Sequence, residues 1–253
     1  MDLHLLDAAP TEEERAAVDA LLGAPSSGWD GGVRIEQRDA HTAAGGHAAR
    51  AQRHLLLPAL QAVQSTIGWI SEGALNYVCE RLSVPPADAY GVATFYALLS
   101  TTPRPRRVLH VCDDIACRAK GADKLCDALE RSAGASGHHG PSGDHVEIGD
   151  DDAIWLRSPC LGLCDQAPAA LMTVAGPQPV ERLFGNVDEA TAKRVLDGDD
   201  SASGTPHPKL PQAGDPSLRL LRRVDVADPG SLDAYRAYGG YEALRAKIGR
   251  AHV

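Results

Sequence analysis

Four cysteines form two closely spaced pairs, and this spacing constrains the fold more than any other feature of the chain. Cys112 and Cys117 lie in VCDDIAC, and Cys160 and Cys164 lie in SPCLGLC, so a CxxxxC is followed by a CxxxC. Two loops that each present two thiolates can close around one inorganic centre, and residues 118–159 leave room for the helix and strands that would hold those loops together. The pattern predicts a metal or iron–sulfur site.

The composition argues against nucleic acid and anionic membrane surfaces as partners. The formal net charge is −9 and aromatic residues make up 4% of the chain, whereas nucleic-acid binders need clustered Lys and Arg for phosphates and often aromatic side chains for bases. The hydrophobic content of 43% is enough for one core and a smaller second unit.

The N-terminal stretch MDLHLLDAAPTEEERA lacks a basic start followed by an apolar run. The longest apolar runs, such as residues 55–57, are too short to span a bilayer. We therefore expect a cytoplasmic protein that does not insert into a membrane. In such a reducing compartment, paired cysteines favour a metal or redox site over structural disulfides.

The first part of the chain predicts helices. Residues 1–50 are rich in Ala, Gly and Asp and form a variable N-terminal segment with one predicted helix, Glu12–Leu22. Residues 51–104 carry apolar side chains at helical spacing, with Ser71 as an N-cap and Pro86 as the first residue of a further helix. We expect a small helical bundle there.

Residues 105–198 predict an α/β domain, because strand patterns alternate with helical ones. Its mixed sheet should be covered by helices and should carry both cysteine pairs at one end. Residues 199–217 have the Ser, Pro, Gly and Asp content of a linker, and residues 218–253 follow as a short C-terminal arm. The predicted strands are Val108–Val111, His145–Ile148, Ala153–Arg157 and Ala170–Val174, and the predicted helices are 119–131 and Asp188–Leu196.

Four longer segments carry a specific resemblance. They are HLLLPALQAVQSTIGWISEGALNYVCERLSVPPADAYGVATFYALLS, VCDDIACRAKGADKL, CLGLCDQAPAALMTV and LFGNVDEATAKRVL. In this order they resemble the thioredoxin-like [2Fe–2S] subunit of complex I, the small NADH-module subunit that also occurs in NAD-linked formate dehydrogenases and hydrogenases. The resemblance runs from about residue 50 to 198.

This resemblance implies a thioredoxin-like domain after a helical segment, and a [2Fe–2S] cluster held by Cys112, Cys117, Cys160 and Cys164. Two thiolates per iron would complete a tetrahedron around each ferric ion. Gly162 would permit a tight turn between the second pair, and Gly121 would let the chain pass close to the first pair.

A structural zinc site with four cysteines in a non-redox interaction module is the alternative, although zinc ligands are usually spaced as CxxC or close to it. A Rieske centre is excluded because neither pair is accompanied by a ligand His, and a thioredoxin-type dithiol would need CxxC. Cys79 and Cys126 lie on apolar helical faces and are expected in the core. His110 is expected to be a hydrogen-bonded structural residue, and His138, His139 and His145 to be solvated.

The chain contains neither GxGxxG nor a P-loop, so it has no recognised dinucleotide site and no predicted catalytic residue. The resemblance implies that FMN and NAD(H) lie on a larger partner subunit, with which the cluster would exchange single electrons. Further iron–sulfur or catalytic subunits are expected, in complex I, a formate dehydrogenase or a hydrogenase.

The C-terminal arm carries a second resemblance. Residues 218–253, and GGYEALR most clearly, resemble the opening of the flavin and NADH-binding subunit. The likeness ends before that subunit's glycine-rich nucleotide region and therefore implies no NADH site. One interpretation is an arm that supplies a strand and a helix to the partner, which would also bind through the helical bundle. The other is an amphipathic tail with Tyr241, Leu244 and Ile248 on one face, packed on its own domain.

Overall fold

The computed structural model describes residues 8–25, 27–28, 32, 50–137, 153–199, 201, 203–206 and 212–248. The chain divides into two compact units, 1–205 and 206–253, and the division lies within the predicted linker 199–217. Among the residues just given, no helix has the length and apolar character needed to cross a membrane.

The helical region begins where the sequence places its caps. The side chain of Thr11 accepts from the backbone N–H of Glu14, whose carboxylate accepts from the N–H of Thr11, so a capping box starts the first helix. The hydroxyl of Ser71 accepts from the N–H of Ala74, and Pro86 is the first residue of the fourth helix, as predicted. The helices are α1 (Glu12–Leu22), α2 (Leu56–Ile67), α3 (Glu72–Leu82) and α4 (Pro86–Phe95), with a 3₁₀ turn at Arg53–Leu55.

Helix α1 packs in this bundle, although the sequence analysis assigned it to a separate variable segment. Val18 is fully buried with apolar residues of α2, α3 and α4. Tyr77 donates a hydrogen bond of 2.7 Å from its hydroxyl to Asp19, and Arg81 forms an ion pair with the same carboxylate. Arg81 also donates to the carbonyl of Gly23 at 2.6 Å. This network ties the second half of α1 to α3.

The second part of unit 1 is a four-stranded mixed sheet of order β2-β1-β3-β4. β1 pairs with β2 in parallel and with β3 antiparallel, and β3 and β4 are antiparallel. Three predicted strands are confirmed to within a residue at each end, β4 was not predicted, and the predicted strand His145–Ile148 lies outside the described residues. The strands are β1 (Arg107–Cys112), β2 (Ala153–Ser158), β3 (Ala170–Val174) and β4 (Val180–Phe184).

Side-chain alternation along β1 divides the residues of this strand between the two faces of the sheet. Leu109 and Val111 lie in a core with Leu125, Leu129 and Val195 from the covering helices. Val108, His110 and Cys112 therefore share the opposite face, which carries the first cysteine of the predicted site. The helices of this part are α5 (Ile115–Ala119), α6 (Ala122–Ala133) and α7 (Glu189–Leu196).

Unit 2 contains two short helices, α8 (Leu232–Ala237) and α9 (Glu242–Ile248). Residues 212–248 include no strand, and the strand that this arm was expected to supply to a partner stays a prediction. The rings of Tyr235 and Tyr241 meet edge to face at 5.1 Å. Among residues 212–248 no apolar side chain is buried, and Leu220 is exposed at 92%. This unit buries too little apolar surface to form a core of its own.

Two helical glycines test the packing of the N-terminal segment. A Cβ on Gly73 in α3 would overlap the backbone carbonyl of Ala9, whereas a Cβ on Gly91 in α4 would meet nothing within 4 Å. We expect Gly73→Ala to lower the free energy of unfolding by about 2 kcal/mol, because backbone must move. Gly91→Ala should instead raise it by about 0.5–1 kcal/mol through helix propensity. Urea unfolding checks both, and equal stabilisation by the two changes would contradict this packing.

Candidate metal centre

The pairing of β1 with β2 brings the two cysteine loops to one edge of the sheet. Cys112 ends β1 and lies beside Ser158, the last residue of β2, in the parallel register. Cys117 follows in α5, Cys160 comes two residues after β2, and Cys164 opens a 3₁₀ turn. Because parallel neighbours end at the same edge, the four predicted ligands are presented together there, all as free thiols.

The thiols interact within each pair and between the pairs. The Sγ atoms of Cys160 and Cys164 lie 3.3 Å apart, and the thiols of Cys112 and Cys117 are hydrogen-bonded to each other. Cys164 also interacts electrostatically with both Cys112 and Cys117. In the described part of the chain, no three His, Cys, Asp or Glu side chains converge on the position of a single metal ion. The closest sulfur contacts in this structure are those within each pair.

The environment opposes ionisation of these thiols when no cation is present. Burial, followed by the bond to Cys112, raises the pKa of Cys117 to about 11, although the N–H of Ala169 donates to this sulfur and lowers the pKa. The hydrogen bond to Cys160 is the largest cause that raises the pKa of Cys164. Four soft sulfur donors that repel one another as thiolates fit a centre with several positive charges.

Backbone hydrogen bonds hold the loops in place. The N–H of Cys112 donates to the carbonyl of Ala169 at 2.9 Å, and the N–H of Asp113 donates to the carbonyl of Ser158 at 3.1 Å. The carboxylate of Asp114 accepts from the N–H of Ile115 at 2.7 Å and caps α5. The first loop is thus joined both to the chain after the second pair and to the end of β2.

The two glycines near the ligands adopt backbone conformations that other residues rarely adopt. Gly162 has φ of +83°, as its predicted tight turn requires. Gly121 has φ of +97° before α6, and a Cβ there would meet nothing within 4 Å. The left-handed conformation of Gly121 is a reason for glycine at this position, and the close passage of the chain there stays a prediction.

The two halves of the site differ in exposure. Cys112 and Cys117 are buried with Leu163, Ala167 and Ala169. Cys160 and Cys164 are exposed. A centre bound to all four sulfurs would therefore have one side in the protein and one side near solvent.

His110 is a buried residue of β1, but within the described part of the chain one of its ring nitrogens lacks the hydrogen bond that the sequence analysis expected. Its side chain is 1% exposed, and its Nε2 has no hydrogen-bond partner among the described residues. Burial, and secondarily the charge of Arg104, lowers the pKa of His110 to about 3, so the ring is neutral at pH 7. A buried polar atom without a partner costs about 1–3 kcal/mol. Such an atom on the Cys112 face is consistent with an acceptor group at this site.

Cys79 and Cys126 are core residues, as predicted. Both are fully buried, in the helical bundle and beneath the sheet respectively. Burial is the main cause that raises the pKa of Cys79 to about 12 and that of Cys126 to about 11. The predicted solvated residues His138, His139 and His145 lie outside the described residues.

The sequence analysis did not single out Arg104. Arg104 is buried and donates to the carbonyls of Gly68 at 2.9 Å and Leu98 at 3.0 Å. It lines a cavity of about 530 Å³ that Cys160 also lines. The prolines on either side of Arg104 in TPRPRR are a signal of a constrained, positioned turn.

Comparison with known proteins gives the family of the chain. Residues 43–198 match the thioredoxin-like [2Fe-2S] ferredoxin family. The chain belongs to this family. The match covers α2, α3 and α4 of the helical bundle, the sheet and all four cysteines, and it confirms the thioredoxin-like fold predicted from the sequence.

Among relatives in this family, a subunit of the NADH-quinone oxidoreductase of Pseudomonas aeruginosa is 32% identical over 116 residues, which cover 46% of this chain and 66% of the relative. The corresponding subunit of Escherichia coli K12 is 31% identical over 44% of this chain and 63% of the relative. The chain thus spans just under two thirds of these subunits. NADP-reducing hydrogenase subunit HndA of Solidesulfovibrio fructosivorans is 29% identical over 56% of this chain and 74% of the relative.

A solved structure of an NAD+-reducing [NiFe]-hydrogenase in the air-oxidised state is also similar. It is 26% identical, with a TM-score of 0.42, over 58% of this chain and 23% of that one.

The difference in exposure predicts unequal alkylation of the metal-free protein. With iodoacetamide under native conditions, we expect Cys160 and Cys164 to be labelled first, because they are exposed. Cys112 and Cys117 should react at least tenfold more slowly, at a rate close to that of the core residues Cys79 and Cys126. Mass spectrometry of peptides over time gives the order, and prior labelling of Cys112 or Cys117 would contradict the arrangement.

Proposed function

We propose that this chain is an electron-transfer subunit that carries one [2Fe–2S] cluster on Cys112, Cys117, Cys160 and Cys164. The observation that carries the proposal is the meeting of two thiol pairs at one sheet edge in a chain of this family. Two thiol pairs can supply two thiolates to each of two irons, and the [2Fe-2S] ferredoxin family match favours this centre over one zinc ion.

When bound, the cluster supplies the capacity to accept and return one electron. The chain's own groups hold it and set its environment. The N–H of Ala169 donates to the sulfur of Cys117 and stabilises negative charge there. The exposed pair, Cys160 and Cys164, provides the side on which a redox partner can approach.

The partner in this proposal is a flavoprotein subunit that binds FMN and NAD(H). The chain itself has no recognised dinucleotide motif, and its relatives are named as subunits of an NADH-quinone oxidoreductase and an NADP-reducing hydrogenase. We infer a non-catalytic subunit of an NAD(P)-linked oxidoreductase complex, with a formate dehydrogenase as a further candidate for the parent complex, together with other iron–sulfur or catalytic subunits.

Two exposed apolar regions support binding to a larger partner. On the helical bundle, Tyr90, Phe95 and Tyr96 at α4 are exposed, Phe95 at 79%. In unit 2, the large apolar side chains of α8 and α9 are exposed, namely those of Leu232, Tyr235, Leu244 and Ile248. Exposed aromatic and aliphatic groups of this kind are typical of protein interfaces. We assign both regions to contact with the flavin subunit.

Cluster content tests the proposed ligands. The protein isolated without oxygen should be coloured, contain two irons and two sulfides per chain, and give an EPR signal after one-electron reduction. Single Ser substitutions of Cys112, Cys117, Cys160 and Cys164 should each lower the cluster content at least several-fold. The matched variants Cys79→Ala and Cys126→Ala replace buried cysteines of the core and should keep it. A colourless protein with one zinc ion per chain would overturn the proposal.

Deletion of unit 2 tests the docking arm. The deletion should begin at Pro206, because Thr205 is bound to the sheet: its N–H donates to the carbonyl of Leu183 at 2.6 Å, and its hydroxyl accepts from the N–H of Gly185 at 2.8 Å. Co-expressed with the flavin subunit, the shortened chain should keep its cluster and lose at least tenfold in affinity for that subunit. Unchanged affinity would show that the arm does not dock.

A further inference from the structure

We propose that His110 donates a hydrogen bond from Nε2–H to a sulfur of the cluster or of its ligands. The inference rests on the proposed function, since it concerns the bound state of the same site. His110 would then be a positioning residue that adjusts the reduction potential of the cluster, in addition to the four ligands.

His110 lies in β1, two residues before the predicted ligand Cys112. Leu109 and Val111 lie in the core under α6 and α7, so alternation places His110 on the same face as Cys112. Cys112 itself lies in the apolar group that surrounds the buried half of the site. On this face of β1, the imidazole is therefore the polar side chain next to Cys112.

One ring nitrogen of His110 lacks a hydrogen-bond partner in the part of the chain that the structure describes. Among the described residues, Nε2 of His110 is the one buried side-chain nitrogen or oxygen without a hydrogen bond. Its register partners in the sheet, Leu156 and Leu171, have no polar side chain. The neighbouring charge is that of Arg104, which can only donate and is bonded to the carbonyls of Gly68 and Leu98.

The proposal places a ring proton on Nε2, whose missing partner is then an acceptor, and thiolate or sulfide sulfur accepts from N–H groups. Ala169 already makes such a bond to Cys117 through its backbone N–H. A second bond from His110 would add to the stabilisation of the reduced cluster, because hydrogen bonds to sulfur raise the reduction potential.

The direct test uses the full-length protein with its cluster, labelled with ¹⁵N only at histidine and reduced by one electron. Pulsed EPR should detect a ¹⁵N hyperfine coupling from a histidine nitrogen. This coupling should be lost in His110→Leu and kept in the matched control His54→Leu, because His54 is exposed on the turn before α2. Absence of any histidine coupling in the wild-type cluster would overturn the inference, whether or not the variant folds.

The reduction potential gives a second readout. His110→Leu should shift the midpoint potential to more negative values at unchanged cluster content, and His110→Gln, which restores an N–H donor, should return it towards the wild-type value. An equal potential in His110→Leu and wild type would overturn the inference. A protein without a [2Fe–2S] signal would overturn the proposed function and this inference together, whereas a cluster without histidine coupling overturns only the role of His110.

Discussion

The site depends on the parallel pairing of β1 with β2. Neither cysteine motif can bind a two-iron centre by itself, and the motifs are separated by the whole of α6 and a long connection. Parallel strands need such a crossover, and they end at the same edge of the sheet. Cys112 therefore lies beside Ser158, and the loop that follows β2 begins next to the loop that follows β1. The order of strands in the sheet thus brings together two cysteine pairs that lie far apart in the sequence.

The two cysteine loops have different surroundings, since the first is buried and the second is exposed. The first pair is enclosed by apolar side chains and tied to Ala169 through bonds in both directions. The second pair is exposed and turns tightly at Gly162. One loop thus provides a low-dielectric environment with directed N–H groups, and the other provides contact with the outside. Both properties would serve the proposed cluster, which has to hold an electron and also pass it on.

Much of this arrangement could be predicted from the sequence because the relevant signals are local. Thr11, Ser71 and Pro86 begin helices through capping chemistry that involves only a few neighbouring residues. β4 escaped prediction because it is short and is stabilised by pairing with β3, which is a tertiary effect. The unpartnered nitrogen of His110 and the burial of Arg104 also depend on distant chain segments, so no local pattern reports them.

The burial of one pair and the exposure of the other also set an order for assembly of the holoprotein. Cys112 and Cys117 are placed by β1 and α5 and become enclosed as the sheet and its helices pack. On the proposed function, iron and sulfide would reach the site from the side of Cys160 and Cys164, which are exposed in the folded chain. A redox partner that covered this face would close that route, so the proposal implies that the cluster is inserted before the partner docks.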